Sequence, residues 1–369
     1  MMRNKITFGS FEAICITVTL ITTQLFLNLP RTMMETAGTA AWLLTLYISV
    51  IALLLFFIID RLYRPFKGKD LLDLGELIGG NIGRIMVGII VLLFFFYIVP
   101  VILREFCENM KIIALPNSPL SFVMLFFITS MVIASYAGLE AIVRFSAIFV
   151  PIIAVGYLLI IVGSLRFVDV SRITPWLGSG PYEIFVKGAP SISVFAGVIL
   201  VYFLYPFIRT KKNFSIIGYT SIIIAGLFFF IGVLVFSLIY QYPTGTESFL
   251  PIYQLARLVE YGRFFQRIES IFLIVWVASA LLHLSINMYL ISYVFKKTFK
   301  LKYYKPLIIP FAILVYALAF FPHNLPSAIA LEKNFRTFAW IVTFLLPILL
   351  LITARVVKQP VRKEEEKSE

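Results

Sequence analysis

Charge is what this sequence has least of. Of its 369 residues only 14% are Asp, Glu, Lys or Arg, against about a quarter in an ordinary soluble domain. Without enough polar surface to meet water on all sides, the chain is expected to use lipid as its solvent. Cysteine and histidine are equally scarce, at two each. Cys15 and Cys107 both lie in apolar runs, so neither a disulfide framework nor a thiolate metal cluster is expected, only two small buried hydrophobes. There is no Walker loop, nucleophile elbow, zinc-ligand spacing or paired acid and base within one segment. The chain therefore reads as no enzyme, with no catalytic residue, metal or cofactor. An ATP-driven pump is not expected either, because no soluble domain is long enough to hold a nucleotide. The first apolar stretch lacks a small-x-small cleavage site and runs into further apolar chain, so no cleaved leader is expected.

What is present in abundance is apolar length. Hydrophobic residues make up 60% of the chain and the mean hydropathy is +0.96. A helix needs roughly 20 apolar residues to cross the hydrocarbon. Ten runs approach that length: 10–29, 39–60, 84–103, 119–137, 142–164, 189–208, 216–240, 268–294, 306–321 and 335–354. They are continuous and not alternating, which excludes a barrel. With the N-terminus inside, 21 of the 32 basic residues fall in inner segments, so both termini are expected in the cytoplasm. The same bias accounts for the net charge of +13 without any nucleic-acid partner. The transmembrane unit is expected over 1–357, followed by a mixed-charge tail over 358–369.

Two connections have a character of their own. Residues 69–84 read as a short amphipathic helix ending at Gly79-Gly80, and residues 248–267 repeat the pattern up to Gly262-Arg263. One lies between spans two and three, the other between spans seven and eight, on opposite sides of the membrane. An inverted repeat of five plus five helices produces that arrangement, with halves at about 6–165 and 188–356. Spans one and six share a second feature. Span one is interrupted by Thr22, Thr23, Gln24 and Asn28, then Pro30; span six opens on residues 188–193 with Pro190 and carries Gly197 and Pro206. Matching broken helices point to a midplane binding site, although Pro and Gly also merely kink membrane helices.

Ionisable residues at membrane depth are read first as functional and second as ion pairs. Arg104 with Glu108, and Glu140 with Arg144, have the four-residue spacing of helical salt bridges. Glu105 has no such partner. Arg257, Arg267 and Glu269 cluster around the start of span eight, where an acid is favourable near a helix N-terminus. With Glu105, Glu140 and Arg144 they form a set of structural or gating charges. His283 reads as a packing residue. Ser285 and Tyr289, four apart, share one face of span eight, with Asn287 on another; Tyr97 and Val101 make a similar pair on span three.

Several segments together resemble the endospore germination permeases, the B subunits of nutrient germinant receptors. They are Leu29-Pro30-Arg31 with Ala37-Gly38 and Ala41-Trp42, then Tyr136-Ala-Gly-Leu-Glu-Ala-Ile-Val-Arg144. The outer segment Phe249-Leu-Pro-Ile-Tyr-Gln-Leu-Ala-Arg257, followed by Phe265-Gln-Arg-Ile-Glu269 and Trp276, is the most specific. The resemblance covers nearly the whole chain. It implies an all-α polytopic fold of the amino acid–polyamine–organocation transporter superfamily, with spans one and six unwound around a ligand. It also implies a multi-pass location in the inner membrane of the spore, beside receptor A and C subunits. The role implied is to bind a small nutrient germinant, commonly an amino acid, and signal to those partners. A ligand pocket carried over from the family is lined by Thr22, Thr23, Gln24, Tyr97, Val101, Phe195, Gly197, Val198, Ile199, Ser285 and Tyr289. Two departures stand out. Thr23 and Leu25 occupy positions where relatives often have glycine, and Ile199 stands where many carry an acid. An amino acid–cation symporter and a purely structural subunit are the competing readings.

Overall fold

The computed structural model describes residues 8–208, 211–259 and 269–368. Among the described residues every regular element is helical. Eight helices are long and apolar enough to cross a membrane, and two shorter apolar ones, Ser10–Phe26 and Lys305–Leu318, fill the remaining predicted places.

The order is as follows. Helix α1 (Ser10–Thr22) passes through a 3-10 turn, Thr23–Phe26, into α2 (Leu29–Ala37) and then α3 (Ala41–Leu62). Helix α4 (Leu71–Ile113) is followed by α5 (Leu120–Ala137) and α6 (Leu139–Ser164). The second half opens with a broken segment, a π turn Glu183–Lys187 and a 3-10 stretch Ala189–Val198, that leads into α7 (Ile199–Leu204). Then come α8 (Lys211–Ile239), α9 (Pro251–Leu258), α10 (Glu269–Thr298) and α11 (Ile308–Leu318). Helix α12 (Leu325–Trp340) continues through a π turn, Ile341–Leu345, into α13 (Leu346–Ser368), which runs across the mixed-charge tail.

Packing follows the repeat. Helix α3 lies along α8 and α4 along α10, second with seventh and third with eighth. Helix α1 packs on α6 as the 3-10 stretch packs on α12, first with fifth and sixth with tenth. The two broken segments also touch each other. This is the inverted five-plus-five arrangement expected from the connectors.

Both amphipathic connectors are helical. The first occupies the start of α4 and ends in a true break: Gly79 and Gly80 leave the helical region, and Gly80 takes φ +58°, a conformation glycine reaches without steric cost. The second is α9. The third span ends at Ile113 instead of near 103, and the tenth begins at Leu325 instead of near 335. Asn324 caps it, accepting from Ser327 N while Ser327 Oγ accepts from Asn324 N. Hydropathy places the start too late because Glu332, Lys333 and Arg336 depress the average over the first turns.

One end of the bundle is clamped by charge. Asp70 caps α4 by accepting from Leu72 N and Asp73 N at 3.0 and 3.1 Å. Lys297 of α10 reaches Asp70 at 2.6 Å and Asp73 at 2.7 Å, and Tyr293 donates to Asp70 at 3.2 Å. Burial is the largest influence on Asp70 and pushes its carboxyl above the ordinary range; Lys297 pulls it down and Asp73 pushes it up. A raised folded pKa means the native state binds more protons than the unfolded chain between the ordinary and the raised values, so stability falls as pH rises through that window. Lys297→Met removes the opposing cation. It should cost about 3 kcal/mol and steepen the loss of stability with rising pH, read as the midpoint of thermal unfolding across a pH series. An unchanged pH profile would remove the clamp from the account.

Candidate functional site

Spans one and six carry the irregular backbone, and sequence chemistry explains both. Along α1, Thr17, Thr19, Thr22 and Thr23 each donate a hydroxyl to the carbonyl four residues earlier, a contact that bends helices. The helix tightens into the 3-10 turn, leaves helical geometry at Leu27 and Asn28, and restarts with Pro30 in the first turn of α2. In span six, Pro190 sits at the start of ten residues of 3-10 helix, much longer than the few-residue runs usually seen.

Gly197 of the broken span six lies against the last turn of α1, just before the break in span one. A Cβ placed there would lie 2.8 Å from Ile21 N and 2.8 Å from the Leu20 carbonyl carbon, so only glycine allows this contact between the two spans. Beside it opens a narrow cleft, whose empty space of about 490 Å³ includes the open solvent at its mouth. One wall is apolar: Phe94, Phe95, Ile98 and Ile102 of α4. Span six supplies Ser193, Gly197 and Ile199 among others, and α10 supplies His283 and Asn287. His283 hydrogen-bonds the backbone of Leu20, and Asn287 Nδ2 donates to the His283 carbonyl at 2.9 Å.

The remaining wall is charged. From α12, Glu332 (2% exposed) and Arg336 (8% exposed) reach into the bundle and pair with each other. Arg336 Nη2 also donates to Gln24 Oε1 at the break in span one. Glu105 of α4, fully buried, faces Glu332 from behind and accepts from Asn28 Nδ2 at 3.3 Å. The Ser193 hydroxyl accepts from Trp340 N at 2.9 Å. Helix α12 is thus bonded to both broken segments.

Of the residues singled out in the sequence, Gln24, Gly197 and Ile199 line this cleft. Thr22 is bonded to its own helix, and Thr23 adds a contact to Ser279 Oγ at 3.1 Å. Tyr97 is on the outer side of α4, 41% exposed; its hydroxyl donates to the Leu331 carbonyl and its ring stacks on Phe335. Val101 and Val198 are buried away from the lining. Phe195 points to α8, against Phe229. Ser285 is buried, and Tyr289 packs on Tyr293 and Tyr304. On α10 it is therefore the His283–Asn287 face, not the Ser285–Tyr289 face, that meets the cleft.

The charges fall into separate places. Glu140 and Arg144 pair at 2.6 Å, with the Arg144 side chain 61% exposed. Arg104 pairs with Glu108 at 2.7 Å and donates to the Ala319 and His323 carbonyls. Arg257 lies over the Tyr253 ring. Glu269 begins α10, and Arg267 lies outside the described residues. The hydropathy pattern sets Glu332 before the tenth span and Arg336 at its edge, so it does not read the two as one buried pair. Their four-residue spacing inside an apolar stretch was the signal available.

Comparison with known proteins agrees with this architecture. Among solved structures, a substrate-bound, outward-open Na+-coupled sialic acid symporter is similar with a TM-score of 0.63. The likeness covers 96% of this chain and 91% of that one at 14% identity. Mhp1, a nucleobase-cation-symport-1 family transporter in a closed conformation with bromovinylhydantoin bound, gives 0.61, with 96% and 94% covered at 14% identity. At such identities the likeness speaks for the fold. Sequence relatives include spore germination protein B2 of Bacillus subtilis (strain 168), 26% identical over 75% of each chain. Spore germination protein A2 of the same organism is 23% identical over 94% of this chain and 95% of its own length. The family described as spore germination protein matches residues 7–328, and this multi-pass membrane chain belongs to it.

Proposed function

We propose that the chain is the small-molecule-binding subunit of a spore germinant receptor. It binds a nutrient, an amino acid by preference, in the cleft between the two broken helices and passes the signal to A and C subunits in the inner spore membrane. The observation that carries this reading is the cleft itself. Its walls come from spans one, three, six, eight and ten, so a ligand there touches both repeats at once. A ligand that favours one packing of those repeats shifts the population towards it.

The direct test uses spores from which this chain alone has been deleted. They should lose the response to at least one nutrient and regain it on complementation; a full, unchanged nutrient profile would end the receptor reading. Within the cleft, Ile199→Trp fills space between the apolar and charged walls. At normal protein level it should raise the nutrient concentration needed for half-maximal germination by more than about tenfold, the equivalent of roughly 1.4 kcal/mol of binding. An unmoved dose response would place the ligand elsewhere.

The symporter-like fold favours one second reading, an amino acid–cation symporter. Concentrative uptake of labelled amino acid by proteoliposomes holding this chain alone would support it, and binding without uptake would support the receptor.

A further inference from the structure

The charged wall of the cleft is only half used. Nη2 of Arg336 serves both Glu332 and Gln24, while Nε and Nη1 have no partner although they are buried. A guanidinium removed from water with donors unpaired is costly unless a further acceptor is supplied. Acceptors are in surplus close by: Glu105 Oε1 and Asn28 Oδ1 are also buried and unpartnered, and two carboxyls, Glu105 and Glu332, face the one guanidinium.

We infer that Arg336 is the anchor for a ligand carboxylate, and that the ligand is a zwitterion whose ammonium group faces Glu332. The idle donors of Arg336 suit a carboxylate, to which guanidinium makes charge-assisted bonds. Glu332 keeps carboxylate lone pairs beyond its bond to Arg336, and the ligand ammonium pairs with them. The apolar α4 wall then takes the ligand side chain, against Phe95 and Ile98. The ligand carboxylate then shares the guanidinium with Gln24, whose bond at Nη2 ties the break in span one to α12. The arrangement differs from one in which helix ends and backbone alone hold the ligand's charged groups. It rests on the cleft being the ligand site proposed above.

The test uses the full chain in lipid nanodiscs and reads thermal unfolding. The probes are the free L-amino acids, their carboxamides and the amines lacking the carboxyl group. At least one free amino acid should stabilise the chain, and its carboxamide and amine should bind at least about tenfold more weakly. The charge-neutral double variant Glu332→Gln/Arg336→Gln should fold and lose that preference for the acid. Equal stabilisation by acid and amide overturns the inference, as does stabilisation by no amino acid, or undiminished acid binding in the double variant. None of these outcomes depends on germination, so the receptor reading stands or falls separately on the deletion spores.

Discussion

Arg336→Gln alone is expected to destabilise the chain by about 3–5 kcal/mol, and adding Glu332→Gln to recover much of that loss. The reason is the location of the pair. Both side chains are more than nine-tenths buried, and Glu332 already faces a second carboxyl, Glu105. Removing the guanidinium leaves two acids together with no cation among the side chains that touch them in the cleft. Removing the Glu332 charge as well relieves most of that conflict, since Gln at both positions can still hydrogen-bond. The measurement is unfolding of the single and double variants in one detergent or nanodisc. A single variant as stable as the parent would mean that water reaches the pair freely. A double variant as weak as the single one would mean that Arg336 acts through packing, not charge.

Gly197→Ala is the second large expectation, and here the effect falls on function more than on stability. The added methyl would meet Ile21 N and the Leu20 carbonyl carbon at 2.8 Å, both backbone atoms of span one. Backbone cannot rotate aside as a side chain can, so the two broken segments must separate. Overpacking of this kind costs about 1–3 kcal/mol. Gly226→Ala is the matched control, because its methyl would meet the side chain of Ser49, with Oγ at 3.0 Å. The first variant should abolish the nutrient response at normal protein level, and the second should leave it largely intact. Equal behaviour of the two would show that contact between the two broken spans is not needed for signalling.

How far the sequence reveals this molecule depends on which physical signal is asked for. Apolar run length is a property of the chain alone, and it located the eight helices long enough to cross a membrane and the two shorter apolar ones among the described residues. The amphipathic connectors and the two broken spans were also legible, because Pro, Gly and clustered Thr act on the backbone locally. The charged wall was not. Glu332 and Arg336 reduce local hydropathy, so a length-and-polarity rule moves Glu332 out of the span and leaves Arg336 at its edge, while the fold holds both inside the helix as a pair. The face of α10 was equally hidden. His283, Ser285, Asn287 and Tyr289 are all buried, and which of them meets an open space depends on α1 and α4 lying alongside. Helical periodicity groups Ser285 with Tyr289 and His283 with Asn287, but gives no reason to choose between them.

The 3-10 stretch Ala189–Val198 has a mechanical consequence. Its ten residues rise by about 2 Å each and so span about 20 Å, whereas the same residues wound as α-helix would span about 15 Å. The segment therefore holds roughly 5 Å of travel, close to one α-helical pitch, in its hydrogen-bond register. Rewinding it needs no hinge and no rigid-body swing. The stroke would be delivered along the axis of span six, beside the cleft, as a change in length.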